Sequence, residues 1–350
     1  MRFGLIGYGA WGRHHAEAIA MAPGASLAAI ACASEATAGA ARADHPGVTV
    51  HRDWRALLAD PAIDAVDIVV PNHLHAEIAV AALEAGKDVL LEKPMAASIA
   101  DCDRIVEAVR RTGRTLSVGH EFRCSTQWGG IKRLIEAGDI GEPLYANVSL
   151  FRFPYRRGSG GWRYDRDAVG SWILEEPVHF FDMLMWWFDG LGDPVGVRGF
   201  GNSKDRAAGM YDNFSAVMRW RSGAYAIVTQ SLAGFEHHHV VEVVGREGAL
   251  RTWWSGTMDR TLTPAHEFKI QRRGRDACEI VELGRSGEVF ELREELALTV
   301  EAFRAGRPLV SAEEARKRIV VCLEAERAVA DGREVALDFT PTAPLRAVGA

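Results

Sequence analysis

Short apolar runs separated by amphipathic stretches open this chain. Arg2 to Ile6 reads as a buried strand, and His14 to Met21 as a helix with small apolar residues along one face. Ser26 to Cys32 is a second strand, followed by an alanine-rich helix ending near Ala43. Asp64 to Val70 and Asp88 to Leu91 are further strands, joined by a helix that Asn72 caps and Gly86 ends. Ser98-Ile99-Ala100-Asp101 has the form of a capping box, opening a helix that stops at Gly113, and Thr115 to Gly119 completes the series. This alternation over residues 1–120 predicts an α/β fold, a doubly wound parallel sheet of Rossmann type.

After Gly119 the rhythm changes. A helix over Thr126 to Ala137 leads into extended runs at Leu144–Phe153, Met210–Trp220, Ala224–Leu232, Val240–Val244 and Ala249–Trp254. Turn signals such as Ser222-Gly223 and Arg246-Glu247-Gly248 separate them, so residues 121–340 are expected to form an α+β domain around a large, open, mostly antiparallel sheet. Helices at Pro177–Phe188, Arg293–Ala305 and Ser311–Ala330 are expected to cover one face of that sheet. The other face, with the apolar area of Trp220, Trp253 and Trp254, predicts a homodimer or homotetramer packed sheet to sheet. Residues 341–350 read as a loose tail.

Composition narrows the class. The 350 residues are 48% hydrophobic and 25% charged with a net charge of −6, enough for two cores and without the basic footprint of a nucleic-acid binder. No apolar run reaches the roughly 18 residues of a membrane span. The first strand begins at Arg2, so no signal peptide is expected. Five cysteines, odd in number and without metal-type spacing, argue against a disulfide framework, and a cytoplasmic protein is expected.

Two signals carry chemistry. The run Gly7-Tyr8-Gly9-Ala10-Trp11-Gly12 lies between the first strand and the first helix. There it allows a tight turn, a close approach of backbone to a pyrophosphate, and contact of helix with strand. Glu92-Lys93-Pro94 follows a later strand, which puts Lys93 at the carboxyl edge of the sheet, where ligands bind. The adenosine ribose is expected near Ser34 and Glu35. No arginine or lysine separates Ser34 from Arg42, so a 2′-phosphate would meet Glu35 without a cation, and NAD is favoured over NADP.

These motifs, with Pro71-Asn72-His73-Leu74-His75, Gly138-Asp139-Ile140-Gly141, and His179 followed by Asp182, resemble the glucose–fructose oxidoreductase, inositol dehydrogenase and MocA family of nicotinamide-dependent enzymes. The resemblance spans nearly the whole chain. It implies that Pro71, Asn72, His75, Glu92 and Lys93 border the cofactor, and that Pro94 is cis. It implies too that Lys93 lies near the reacting carbon and His179 transfers the proton. The family pattern of aspartate four residues before the histidine is here Glu175, with Pro177 where relatives have glycine. The partner of Glu175 is left open between substrate, Lys93 and His179, and Glu176 is an alternative to it. Asp182 reads as a supporting charge.

The substrate implied is a small polyhydroxylated molecule: a sugar, cyclitol or sugar acid. Phe151 to Asp165 carries Arg152, Arg156, Arg157, Arg163, Trp162 and Tyr164, which suit an anionic substrate through bidentate pairing and stacking. Arg163, flanked by Trp162 and Tyr164, is the first candidate, and Arg123 is expected near the site by resemblance. On a strand, His237 to His239 alternate faces. One of His237 and His239 is expected to line the cavity, His237 foremost, with no metal. Three functions fit: an NAD(P)-dependent oxidoreductase of carbinol carbons, a glycosidase that oxidises its substrate transiently with bound NAD, and a dinucleotide-binding regulator without turnover. Retention of Lys93 and His179 favours an enzyme.

Overall fold

The computed structural model describes residues 1–204 and 209–341. The first six strands are β1 (Arg2–Ile6), β2 (Ser26–Ala31), β3 (Thr49–His51), β4 (Ala65–Ile68), β5 (Asp88–Glu92) and β6 (Leu116–Gly119). They form one parallel sheet in the order β3-β2-β1-β4-β5-β6. The order reverses between β1 and β4, and a crevice opens there at the carboxyl ends of the strands. The connecting helices are α1 (Ala10–Met21), α2 (Glu35–Asp44), α3 (Trp54–Leu58), α4 (His75–Glu84) and α5 (Ile99–Thr112). Ser34 and Ser98 cap α2 and α5 by accepting backbone N–H groups, and Gly113 ends α5 in the left-handed region.

Three details differ from the expectation. The first helix begins at Ala10 rather than His14, inside the glycine turn. The short edge strand β3 and the one-turn helix α3, absent from that reading, are too brief to show a period. Asn72 does not cap the fourth helix; it starts a 3₁₀ turn, and α4 follows at His75.

Beyond β6 come α6 (Trp128–Glu136), β7 (Pro143–Arg152), α7 (Arg166–Val169), α8 (Pro177–Trp187), β8 (Gly196–Asn202), β9 (Asn213–Arg219), β10 (Tyr225–Ser231), β11 (His237–Gly245), β12 (Gly248–Gly256), β13 (Ala265–Arg272), β14 (Glu279–Ile280), α9 (Glu288–Arg304), α10 (Ala312–Asp331) and β15 (Val335–Ala336). The strands make a nine-stranded sheet in the order β14-β13-β12-β11-β7-β10-β9-β8-β15. Only β7 and β10 run parallel; the other neighbours are antiparallel. Period two sorts the side chains. Ala146, Val148 and Leu150 of β7 and Phe214, Ala216 and Met218 of β9 face inward, where α8 and α10 pack.

Helix α9 does not cover this second sheet, as its sequence suggested. Its Leu292, Leu296, Val300 and Phe303 join Phe3, Leu5, Ile19 and Ile30 in the core beneath the parallel sheet. The outer face of the large sheet exposes Tyr225, Phe151, Phe200 and Phe235. Trp220 and Trp254, expected on that face, are buried inside the chain, whereas Trp253 is half-buried. Beyond Pro341, the tail read as loose lies outside the described residues. No helix among the described residues is long and apolar enough to cross a membrane.

Candidate active site

The glycine turn is shaped for a dinucleotide. Gly7 has φ +104°, and a Cβ there would lie 2.1 Å from the Val69 carbonyl oxygen, so only glycine fits between β1 and β4. A Cβ on Gly12 would meet the Gly7 carbonyl oxygen at 2.1 Å, whereas Gly9 has nothing within 4 Å. The backbone is therefore open where a pyrophosphate would approach. Because α1 begins at Ala10, the first-turn amides of Ala10, Trp11 and Gly12 have no acceptor within the helix and are available to the anion.

Glu92, expected to touch the cofactor, instead ties β5 to α1. It accepts from Trp11 Nε1 at 3.0 Å, and His15 Nε2 lies 3.0 Å away. His15 Nδ1 lies 2.7 Å from Asp67 Oδ2. Burial alone would depress this imidazole, but the charge and hydrogen bond of Asp67, with the bond to Glu92, push it up to about 10. Tyr8 is likewise turned aside, its hydroxyl donating to Asp44 at 2.9 Å. At the ribose end, Ser34 is occupied as the α2 cap. Glu35 pairs with Arg42 at 2.8 Å and with Arg52 at 2.6 Å. The reading that a 2′-phosphate would meet Glu35 without a cation is thus corrected, because Arg42 and, brought back from the end of β3 by folding, Arg52 both stand at Glu35.

The reaction centre assembles beyond β5. Lys93 precedes a cis bond to Pro94, and its Nζ donates to the Glu175 backbone oxygen at 2.6 Å. The Glu175 carboxylate accepts from Asn72 Nδ2 at 2.9 Å and from Arg163 Nε at 2.6 Å. Asn72 also donates to the Val169 oxygen at 3.0 Å, so it fastens the cofactor edge to the segment that carries Glu175. Burial would raise the Glu175 carboxyl, but Arg163 and Lys93 hold it below its ordinary value. Burial would likewise lower the Lys93 ammonium, and Glu175, Glu176 and Glu92 hold it up. Both groups are charged at neutral pH. His75, beside the same edge, has Nδ1 2.7 Å from the Pro94 oxygen and Nε2 2.9 Å from the Val70 oxygen.

His179 is the third residue of α8, whose first position is Pro177, a residue suited to a helix start. Its ring stacks on Phe122 at 4.6 Å, and Nε2 stands 3.8 Å from Glu121 Oε1. Nδ1 is buried without a hydrogen-bond partner. Burial and then the charge of Lys93 hold the imidazole well below its ordinary value, so the ring is neutral. Glu121 is a buried carboxyl that the sequence reading missed; desolvation, then Glu92 and Glu295, raise it well above the usual range.

Other expected residues lie elsewhere. Arg123 grips Asp182 with Nε at 2.8 Å and Nη2 at 2.6 Å, and reaches Glu314 at 3.4 Å. It is a strut to α8 and α10. Asp182 also accepts from Arg318 at 2.9 Å. Tyr164 does not flank Arg163 in one pocket, since its hydroxyl donates to the Tyr155 oxygen and its ring packs on Trp172. Trp162 lies under the Arg163 guanidinium, 4.6 Å from ring centre to Cζ.

Glu176 turns away from its neighbour Glu175. It accepts from Arg152 Nη1 at 2.8 Å, and Arg152 also donates to Asp259 at 3.3 Å. His237 pairs with Arg152 in the β11–β7 register, so both side chains point inward, and His239 follows on the same face. Burial first, then Arg152, lowers the His237 imidazole to about 3. The two rings, Trp254, Phe122 and Glu288 line one small cavity. Arg260, which no motif marks, reaches from the β12–β13 connection to lie 4.5 Å over the Trp11 ring.

Comparison with known proteins agrees with this architecture. Residues 1–120 match the oxidoreductase family with an NAD-binding Rossmann fold, and residues 129–251 match the C-terminal domain of the same family. The chain is 26% identical to myo-inositol 2-dehydrogenase of Thermotoga maritima over 348 residues, covering 97% of this chain and 99% of that one. It is 31% identical to 1,5-anhydro-D-fructose reductase of Ensifer adhaerens over 254 residues, covering 71% and 74%. A solved putative myo-inositol dehydrogenase from Sinorhizobium meliloti 1021 superposes with a TM-score of 0.79 at 26% identity, covering 97% and 100%. Levoglucosan dehydrogenase in complex with NADH and levoglucosan shares the fold, with a TM-score of 0.85 at 23% identity over 97% and 100%. With both halves of the family matched in order, the chain belongs to the glucose–fructose oxidoreductase, inositol dehydrogenase and MocA family of NAD-binding oxidoreductases.

Proposed function

We propose that this chain transfers hydride between a nicotinamide dinucleotide, NAD in preference to NADP, and a carbinol carbon of a neutral sugar or cyclitol. One juxtaposition carries the reading. A charged lysine and a neutral histidine with an unpartnered Nδ1 share one desolvated site at the carboxyl edge of the parallel sheet. The nicotinamide supplies the hydride acceptor or donor. Lys93 keeps N–H groups free beyond its bond to the Glu175 oxygen, and these hydrogen-bond the substrate oxygen as charge develops on it. His179 takes the hydroxyl proton in oxidation and returns it in reduction. Glu175, held by Asn72 and Arg163, keeps Lys93 protonated and its approach fixed.

A neutral substrate is favoured over an anionic one because three of the four arginines of the 151–165 segment already face carboxylates, and the fourth, Arg157, lies over the Tyr164 ring. Arg163 meets Glu175, and Arg152 and Arg156 meet Asp259. The relatives named as acting on myo-inositol and 1,5-anhydro-D-fructose support the same class. We divide the chain into a dinucleotide-binding part, residues 1–120, and a part for substrate and assembly, residues 121–340, and place it in the cytoplasm. The test is a panel of sugars, cyclitols and sugar acids incubated with NAD or NADP while reduced nicotinamide is followed. Reduced cofactor accumulating with a neutral polyol is expected. Substrate cleaved without net reduction of NAD would replace this reading with redox-neutral glycosidase chemistry.

A further inference from the structure

We propose that Glu176, His237 and His239 form a binding site for a divalent first-row transition-metal ion beside the reaction centre. Their ligand-capable atoms lie within 4.8 Å of one another, and all three residues are buried. The two imidazoles come from alternate positions of β11, and the sheet's period of two brings them to the same inner face while His238 points outward. The carboxylate comes from a different element, the residue just before α8. Three donors from two rigid elements thus converge on one point, an arrangement that neither segment alone predicts.

The two ring nitrogens already converge on one point. His237 Nε2 and His239 Nε2 face each other at 2.6 Å, and at most one of two neutral imidazoles can donate across that gap. Aromatic neighbours fix the ring planes. Trp254 lies edge-on to both, at 5.5 and 6.1 Å, and Phe180 and Phe122 stand against His239 at 5.5 and 6.0 Å. The phenyl rings carry no donor, and the Trp254 indole N–H is already given to the Ser286 oxygen at 3.2 Å, so none of them meets a nitrogen lone pair. A tetrahedral ion with nitrogen ligands at about 2.05 Å needs those nitrogens about 3.3 Å apart, so the rings need part by only a few tenths of an ångström each.

Arg152 does not consume Glu176. It takes Oε2 and also donates to Asp259, which leaves a second carboxylate oxygen and shares the guanidinium charge. Two imidazoles and one carboxylate suit zinc, cobalt or manganese better than calcium, which prefers oxygen alone. His237 and His239 line the same small cavity as Phe122, and Phe122 is also the ring on which His179 stacks.

The experiment uses the full chain without a histidine tag, stripped with a chelator and dialysed against zinc or cobalt chloride. Elemental analysis should give one ion per chain. Cobalt should develop visible absorption bands of a site with nitrogen ligands. His237→Asn and His239→Asn should each weaken binding by at least about tenfold, whereas the outward His238→Asn should not. Unchanged circular dichroism and NAD binding would show that the variants fold. Should they not fold, X-ray absorption of the zinc-loaded wild type decides: two imidazoles in the first shell are expected, and none or one overturns the proposal. Binding well below one equivalent, or wild-type affinity in both variants, would mean an adventitious ion only and would also overturn it. Neither result bears on hydride transfer, which is read separately.

Discussion

Replacing Lys93 by methionine keeps the volume of the stem and removes the ammonium. The consequences follow from two contacts. The first is the donor to the substrate oxygen. A fixed donor in a water-excluded site contributes about 3–4 kcal/mol to the transition state, so kcat should fall by about 10²- to 10³-fold. The second is the effect on His179. Burial is the larger cause of its depressed pKa and the Lys93 charge the next. In the wild type the neutral base is therefore populated through neutral pH, and oxidation slows only when the pH drops well below the ordinary histidine value. Without the ammonium the residual activity should keep an acid limb, but displaced upward toward that value. The assay is reduced-cofactor formation with the best polyol from the panel, as a function of pH. NAD affinity by fluorescence titration and the melting temperature serve as controls. Activity within about tenfold of wild type, or an acid limb that stays where it was, would refute the reasoning.

Glu35→Ala should release Arg42 and Arg52 and narrow the preference for NAD over NADP by about tenfold in dissociation constant, since a 2′-phosphate would then find two cations; an unchanged ratio by titration would show that Glu35 does not set it. Arg163→Ala should lower kcat/KM by about thirtyfold on neutral polyols and sugar acids alike, because the residue positions Glu175 at 2.6 Å. A selective loss on the acids would restore the anionic reading. The exposed Phe151, Phe200, Tyr225 and Phe235 on the outer sheet face should be covered by a second copy of the chain, giving a dimer or tetramer by light scattering. Tyr225→Glu should shift it to smaller species, and a wild-type monomer at micromolar concentration would contradict this.

Residues close in sequence were legible because their physics is local. The glycine turn, the capping serine 98 and the apolar runs of β1, β4 and β5 declare themselves within a few positions, and with them the parallel sheet and its carboxyl edge. Period two along β11 placed His237 and His239 on one side and His238 on the other. The short β3 and the return of α9 to the first sheet were not legible. The edge strand is too brief to show a period, and α9 carries an apolar stripe that does not name the surface it will meet.

The site itself divides in the same way. Motif position alone puts Lys93 at the sheet edge and His179 at the start of α8. Everything that sets their charge states comes from contacts across long stretches of chain. Glu175 reaches Asn72 from 103 residues away, and Lys93 reaches the Glu175 oxygen from 82. Arg52 returns to Glu35, and Glu176, just before α8, meets two histidines of β11. Sequence can name the groups that are able to ionise. Which are charged, which are paired and which are left without a partner depends on desolvation and on neighbours within a few ångströms, and those neighbours exist only once the two sheets have packed around one crevice.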